Sequence, residues 1–250
     1  MSKETTRWYS DRLGQEVNVV RWGETGTPVL IFPTAGGDAE ECERFLMVDT
    51  LAPMLTEGRI KLYAVDSVAG QAWLKKDNTA ANAARIQNQF DAFVYHEVVP
   101  AIRTDCNAPE IEIVTTGSSI GAFNALAALC RHPDVFSLAI CMSGTYDLRK
   151  FLEGAVTKDY FRCSPLHFVP EIADDDPQLE ALRKRFVLLT HGQGRWEDPK
   201  QSWLAADVLG KKEIPNRVDA WDEEWDHDWP TWRKMLPQYL EELVPLPEEA

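Results

Sequence analysis

Residues 111–129 read IEIVTTGSSIGAFNALAAL, and this stretch decides the fold. Ile111, Ile113, Val114, Thr115 and Thr116 are β-branched and suit a buried strand. From Ile120 onward the Ala/Leu-rich run has helical spacing. Between them, Gly117-Ser118-Ser119-Ile120-Gly121 matches G-x-S-x-G in a strand–turn–helix context. So sharp a turn strains the backbone of the middle serine and requires small residues two before and two after it. Here both are glycine. The geometry lifts Ser119 Oγ clear of the sheet and aims the first helical N–H groups at its reaction partner. The plain alternative is a Gly/Ser turn that only joins a strand to a helix. A base, an acid and oxyanion donors must therefore come from elsewhere in the chain.

Upstream, residues 6–10 and 15–22 read as a hairpin turned at Asp11-Arg12-Leu13-Gly14. The run PVLIF at 28–32 is continuously apolar, as a central parallel strand covered on both faces requires. It stops at Pro33-Thr34-Ala35-Gly36-Gly37, whose small residues can turn backbone N–H groups toward a ligand, so Ala35 or Gly36 is expected to supply one oxyanion donor. A tight turn into the next helix is the alternative. Residues 38–57 are expected to form one helix with Phe45, Leu46, Val48, Leu51 and Met54 as its apolar stripe. Residues 60–66 form the next strand. The loop 67–78 places Trp73 where it can wall a pocket or pack on the surface. Residues 79–103 have the spacing of a long helix, within which His96 reads as structural.

Downstream, His132-Pro133 closes the elbow helix and 138–142 is a strand. Residues 149–185 break the rhythm with several prolines and the acidic run 174–176. They are expected to form a cap-like insertion after the sixth strand of a single domain spanning 1–250. The insertion's aromatics Phe151, Tyr160, Phe161 and Phe168, with Phe161 and Phe168 foremost, are expected to line the substrate pocket, with a satellite core as the alternative. A strand at 186–190, a helix at 201–211, a strand at 216–221 and a helix at 229–243 complete the pattern. Strands alternating with helices behind a hairpin predict a mostly parallel α/β sheet with helices on both faces.

With 26 Lys and Arg against 40 Asp and Glu, the formal charge is −14, which opposes binding to nucleic acid and to anionic membrane surfaces. No apolar run is long enough to span a bilayer, and the N-terminus lacks a signal-peptide core. The five scattered cysteines, without CxxC spacing, read as free thiols. A cytoplasmic location is expected. Oligomeric state is not legible from the sequence.

Ser119 needs a base within hydrogen-bond reach. In a hydrolase of this topology the order is serine, acid, histidine, and of the five histidines only His227 satisfies it. Glu197 and Asp198, both after the strand 186–190, are the candidate acids. Glu197 is preferred, with Asp198 nearer the cap of the following helix. Ile120 N–H is the other oxyanion donor. No metal and no cofactor is required. Gly36-Gly37 and Gly192-Gln193-Gly194 fit neither a dinucleotide nor a phosphate-loop fingerprint.

The chain resembles the "Putative esterase" branch of the α/β-hydrolases, which includes esterase D (S-formylglutathione hydrolase) and the mycolyltransferases. The resemblance rests on Gly117-Ser118-Ser119-Ile120-Gly121, on His132-Pro133-Asp134-Val135-Phe136 leading to Ser143-Gly144, and on His227-Asp228-Trp229-Pro230-Thr231-Trp232-Arg233. It implies an eight-stranded sheet and a serine triad in which Ser119 and His227 match position by position. The expected activity is hydrolysis of a small or medium carboxylic ester through an acyl-enzyme. An acyltransferase, thioesterase or peptidase with the same triad, and a non-catalytic binding protein on this fold, are the alternatives.

Overall fold

The structure is a computed structural model and describes residues 2–152 and 156–246. Eight strands form one sheet: β1 (Lys3–Ser10), β2 (Gln15–Trp22), β3 (Thr27–Phe32), β4 (Ile60–Val65), β5 (Ile113–Ser118), β6 (Phe136–Met142), β7 (Phe186–His191) and β8 (Asn216–Ala220). Their spatial order is β1-β2-β4-β3-β5-β6-β7-β8. The hairpin β1–β2 and the β2–β4 pair are antiparallel, and every other pair is parallel. Phe32 pairs with Gly117, Ser118 with Met142 and Met142 with Thr190, so the carboxyl ends of β3, β5, β6 and β7 share one edge. That edge is where an open α/β sheet binds ligands.

Alternation along the strands divides the core into two layers. Leu30 and Phe32 face a layer with Phe90, Phe123 and Leu126, while Val29 and Ile31 face one with Leu51, Leu55, Met235 and Leu236. The first layer is covered by α5 (Ala80–Phe93), α6 (Val99–Asp105), α7 (Ile120–Arg131) and α11 (Pro199–Lys211). The second is covered by α1 (Glu41–Arg44), α2 (Met47–Thr50), α3 (Ala52–Thr56) and α12 (Trp229–Leu243). The five cysteines are free thiols. No helix among the described residues is long and apolar enough to cross a membrane.

Three local differences from the sequence reading have physical causes. The helix expected over 38–57 is broken into α1, α2 and α3 by Leu46, whose φ of 62° is left-handed, and by Pro53 in the first turn of α3. Phe45 thereby leaves the expected apolar stripe and stacks on Trp229, with centroids 4.9 Å apart. The loop expected at 67–78 contains α4 (Val68–Leu74), whose Gly70 lies against the strand-exit loop: a Cβ there would sit 2.8 Å from Ala35 Cα.

The long helix over 79–103 is present, but residues Val94–Val98 form a π turn between α5 and α6. The extra residue turns Glu97 toward the hairpin, where its carboxylate accepts hydrogen bonds from Trp8 Nε1 (2.8 Å), Ser10 Oγ (2.9 Å) and Arg12 Nη1 (3.1 Å). Partial burial opposes the charge, but these three donors outweigh it and hold the carboxyl below its usual pKa. Because folding lowers this pKa, its stabilisation is complete above the ordinary carboxylate range and is lost as pH falls through the depressed folded value. Glu97→Gln is expected to lower stability by about 1–2 kcal/mol, read as Tm at neutral pH. The deficit should shrink in acid; a pH-independent deficit would contradict this account.

Between β6 and β7 lie a short 3₁₀ turn (Leu148–Phe151), α8 (Lys158–Cys163), α9 (Pro165–Phe168), a second 3₁₀ turn (Val169–Glu171) and α10 (Pro177–Leu182). Residues 153–155 of the expected insertion lie outside the described residues. The α8 segment is tied to α5 and α7 by Asn88 Nδ2 donating to Asp159 O and Arg131 Nη1 donating to Arg162 O.

Candidate active site

Ser119 stands between β5 and α7 with φ 58° and ψ −121°, a strained conformation for any residue but glycine. Its backbone is held from both sides. Ser119 N–H donates to Met142 O, and Thr145 N–H donates to Ser119 O, each at 3.1 Å. A Cβ on Gly117 would lie 2.4 Å from Gly121 C, and one on Gly121 would lie 2.4 Å from Phe32 O. Both glycines are thus demanded by close backbone approach, not only by turn propensity.

Ser119 opens on a cavity of about 340 Å³ that it shares with Ala35, Trp73, Leu74, Ile120, Ser143, Leu148, Lys150, Phe151, Trp196, Asp198 and His227, among others. Two larger grooves, of about 630 and 650 Å³, lie elsewhere, lined by residues such as Tyr95 and Arg103 or Pro28 and Leu243; neither contains a serine–histidine combination.

His227 precedes α12, whose N-terminus is capped by Asp228. Its Nδ1 faces Glu197 Oε2 at 3.7 Å, and the Glu197 side chain is 1% exposed. Ser143 Oγ donates to Glu197 Oε1 at 2.5 Å and accepts from Trp232 Nε1 at 3.0 Å. The Trp232 ring also packs edge-on against the imidazole, centroids 5.3 Å apart at 82°. The loops carrying Glu197 and His227 interlock. A Cβ on Gly192 would lie 2.0 Å from Trp225 O, and one on Gly194 2.4 Å from Asp226 Oδ1. His227 N–H donates to Arg195 O at 3.0 Å, and Asp226 accepts from Arg195 N–H, Nε and Nη2.

Asp198 occupies the N-cap position of α11, yet its side chain makes no capping bond; it accepts from Gln201 Nε2 at 3.2 Å and borders the cavity. The geometry therefore pairs Glu197, not Asp198, with His227. The other histidines lie away from the cavity. His191 is buried, His132 pairs with Asp91, His167 contacts Ser164 Oγ, and His96 is exposed.

The loop after β3 is clamped. Buried Glu41 accepts from Thr34 N–H (2.7 Å) and Thr34 Oγ1 (2.5 Å), while Gln71 Nε2 donates to Gly37 O at 3.1 Å. Burial pushes the Glu41 carboxyl pKa up despite those bonds. Ala35 borders the cavity beside Ile120; Gly36 is not among its lining residues.

Trp73 lines the cavity, but Phe161 and Phe168 do not. Phe161 sets its ring against His167, at 6.3 Å, and Phe168 packs on the main core. Helices α8 and α9 lie against the helical layer; among the described residues from Leu148 to Arg185, Leu148, Lys150 and Phe151 are the ones that border the cavity. Of the other two aromatics that the sequence offers from this region, Phe151 lines the cavity and Tyr160 does not. The sequence reading passed over Lys150 and Trp196 as wall residues, and Ser143, Glu41 and Trp232 as supports. Ser143-Gly144 and Trp232 stood in quoted motifs, which was the available signal.

Residues 64–243 match the family described as "Putative esterase". The chain belongs to that family. Membership in the esterase family makes it an esterase-type hydrolase by descent, and solved α/β-hydrolase structures share its fold. A ferulic acid esterase is 18% identical, covering 97% of this chain and 98% of that one, with a TM-score of 0.73. An S-formylglutathione hydrolase from Staphylococcus aureus is 12% identical, covering 98% and 96%, with a TM-score of 0.67. MPT51 (FbpC1) of Mycobacterium tuberculosis is 14% identical, covering 98% of each chain, with a TM-score of 0.69. No curated protein matches the sequence.

Proposed function

We propose that this esterase-family chain is a serine carboxylic-ester hydrolase working through an acyl-enzyme. The observation that carries the reading is the left-handed Ser119 on the same cavity as His227, with a buried carboxylate behind the imidazole. Ser119 Oγ attacks the ester carbonyl as His227 takes its proton. Glu197 opposite Nδ1 holds the tautomer that leaves Nε2 free to accept, and stabilises the imidazolium. The Ile120 N–H and the Ala35 N–H, or that of Gly36, hold the oxyanion, each worth about 3 kcal/mol in comparable enzymes. His227 then protonates the leaving alcohol, and water, activated by the same histidine, releases the acid.

A cavity of about 340 Å³ suits a small or medium ester. Trp73, Leu74, Leu148, Phe151 and Trp196 give it apolar walls, so the acyl or alcohol group that fills it is apolar. Hydrolysis of a chain-length series of p-nitrophenyl esters, with fluorophosphonate labelling mapped by peptide mass spectrometry, tests the reading. Turnover of the shorter esters and a label on Ser119 are expected. A protein inert to every ester and unlabelled at Ser119 would refute it.

A further inference from the structure

We propose that Ser143, at the exit of β6, is the positioning residue for the acid of the triad; the inference rests on the esterase reading above. Ser143 is 3% exposed and has φ 47°, a left-handed backbone that glycine would occupy with less strain. Its neighbour in sequence is Gly144, so the strained position carries the hydroxyl and the glycine does not. The main chain is fixed there by Ser143 N–H donating to Thr190 O at 2.7 Å.

The hydroxyl has a single proton, and the surroundings determine where it goes. Trp232 Nε1 has only a proton to give and donates it to Ser143 Oγ at 3.0 Å. The Ser143 proton is left for Glu197 Oε1 at 2.5 Å. Among the described residues no other side chain or backbone group donates a hydrogen bond to that carboxylate. One carboxylate oxygen is thereby pinned, and the other, Oε2, is turned to His227 Nδ1. Every donor in the line from Trp232 through Ser143 points toward the Glu197 carboxylate, which holds it in one orientation. Trp232 fixes the imidazole as well, by its edge-on contact. One tryptophan in the first turn of α12 and one serine after β6 thus set both partners of the Glu197–His227 pair.

Ser143→Gly is the informative variant, because glycine suits the backbone while the hydroxyl is lost. With a p-nitrophenyl ester, kcat is expected to fall about 10- to 100-fold with KM within about twofold. The same substitution in a Glu197→Gln background should change kcat less than about twofold, since the group it positions is already gone. Trp232→Phe keeps an aromatic ring of smaller size and loses the N–H, and should reproduce part of the kcat loss. Both variants are checked for unchanged far-UV circular dichroism and a cooperative melt. A folded Ser143→Gly protein with parental kcat, or one losing as much in the Glu197→Gln background as in the parent, would overturn the proposal. If Ser143→Gly does not fold, Trp232→Phe decides by the same two comparisons. A parent inert to esters and to fluorophosphonate would instead bring down the esterase reading, and this proposal with it.

Discussion

Ser119→Ala is expected to lower kcat for p-nitrophenyl ester hydrolysis by about 10⁴- to 10⁶-fold and to abolish fluorophosphonate labelling, with little change in Tm. Removing one hydroxyl on a cavity wall takes nothing from the core, and the backbone bonds to Met142 O and from Thr145 N–H do not involve the side chain. Alanine meets the same left-handed backbone that serine does, so the fold is expected to carry the substitution. Some rate over the uncatalysed reaction should survive, because the oxyanion donors and the cavity remain. Ser118→Ala is the matched control. Ser118 ends β5 and is buried, and it borders a small void with Thr34, Glu41 and Trp229 instead of the main cavity. Its rate should stay within about threefold of the parent. Near-normal turnover in Ser119→Ala would rule out the elbow serine as nucleophile.

The second large effect is expected at Glu197. Glutamine keeps the volume but removes the charge that faces His227 Nδ1, and its amide can offer N–H where the imidazole must itself donate. The histidine then favours the tautomer with its proton toward Ser119, which makes it useless as a base. A kcat loss of about 10³- to 10⁴-fold is expected. Asp198→Asn should change kcat less than about threefold, because among the described residues that carboxylate is hydrogen-bonded to the Gln201 amide at the cavity wall and not to His227. The reverse ranking would make Asp198 the acid and leave the rest of the mechanism standing. If neither variant slows turnover, the acid lies outside this loop. Asp147, after the preceding strand, is a poor substitute, since Arg149 already holds both its oxygens.

What the sequence disclosed follows from how local each signal is. The elbow was legible because five adjacent residues carry it, and the two glycines that the backbone contacts demand are part of the pattern. The sheet was legible because runs such as PVLIF are apolar on both faces, and parallel strands under two layers of helix need that. The assembly of Glu197 with His227 was legible only through chain order. Leu46 and the π turn at Val94–Val98 were not legible. Apolar spacing continues through both, and the contacts that accompany each break, Phe45 on Trp229 and Glu97 on the hairpin, are made with residues far off in the chain. Phe161 and Phe168 were misplaced for a related reason: an aromatic side chain announces that it will be covered, not by what. Ser143 and Trp232 are 89 residues apart, and no pattern in either segment announces their bond.

The interlocked glycine loops bear on how this scaffold can be re-engineered. Gly192 and Gly194 admit the Trp225–Asp226 backbone so closely that the acid-bearing and base-bearing segments behave as one cassette. Swapping or lengthening either segment alone would move the carboxylate away from the imidazole, whatever residues the new loop supplied. A chimera has to transplant the two together, whereas the wall formed by Leu148, Lys150 and Phe151 hangs from a separate connection and is open to independent diversification.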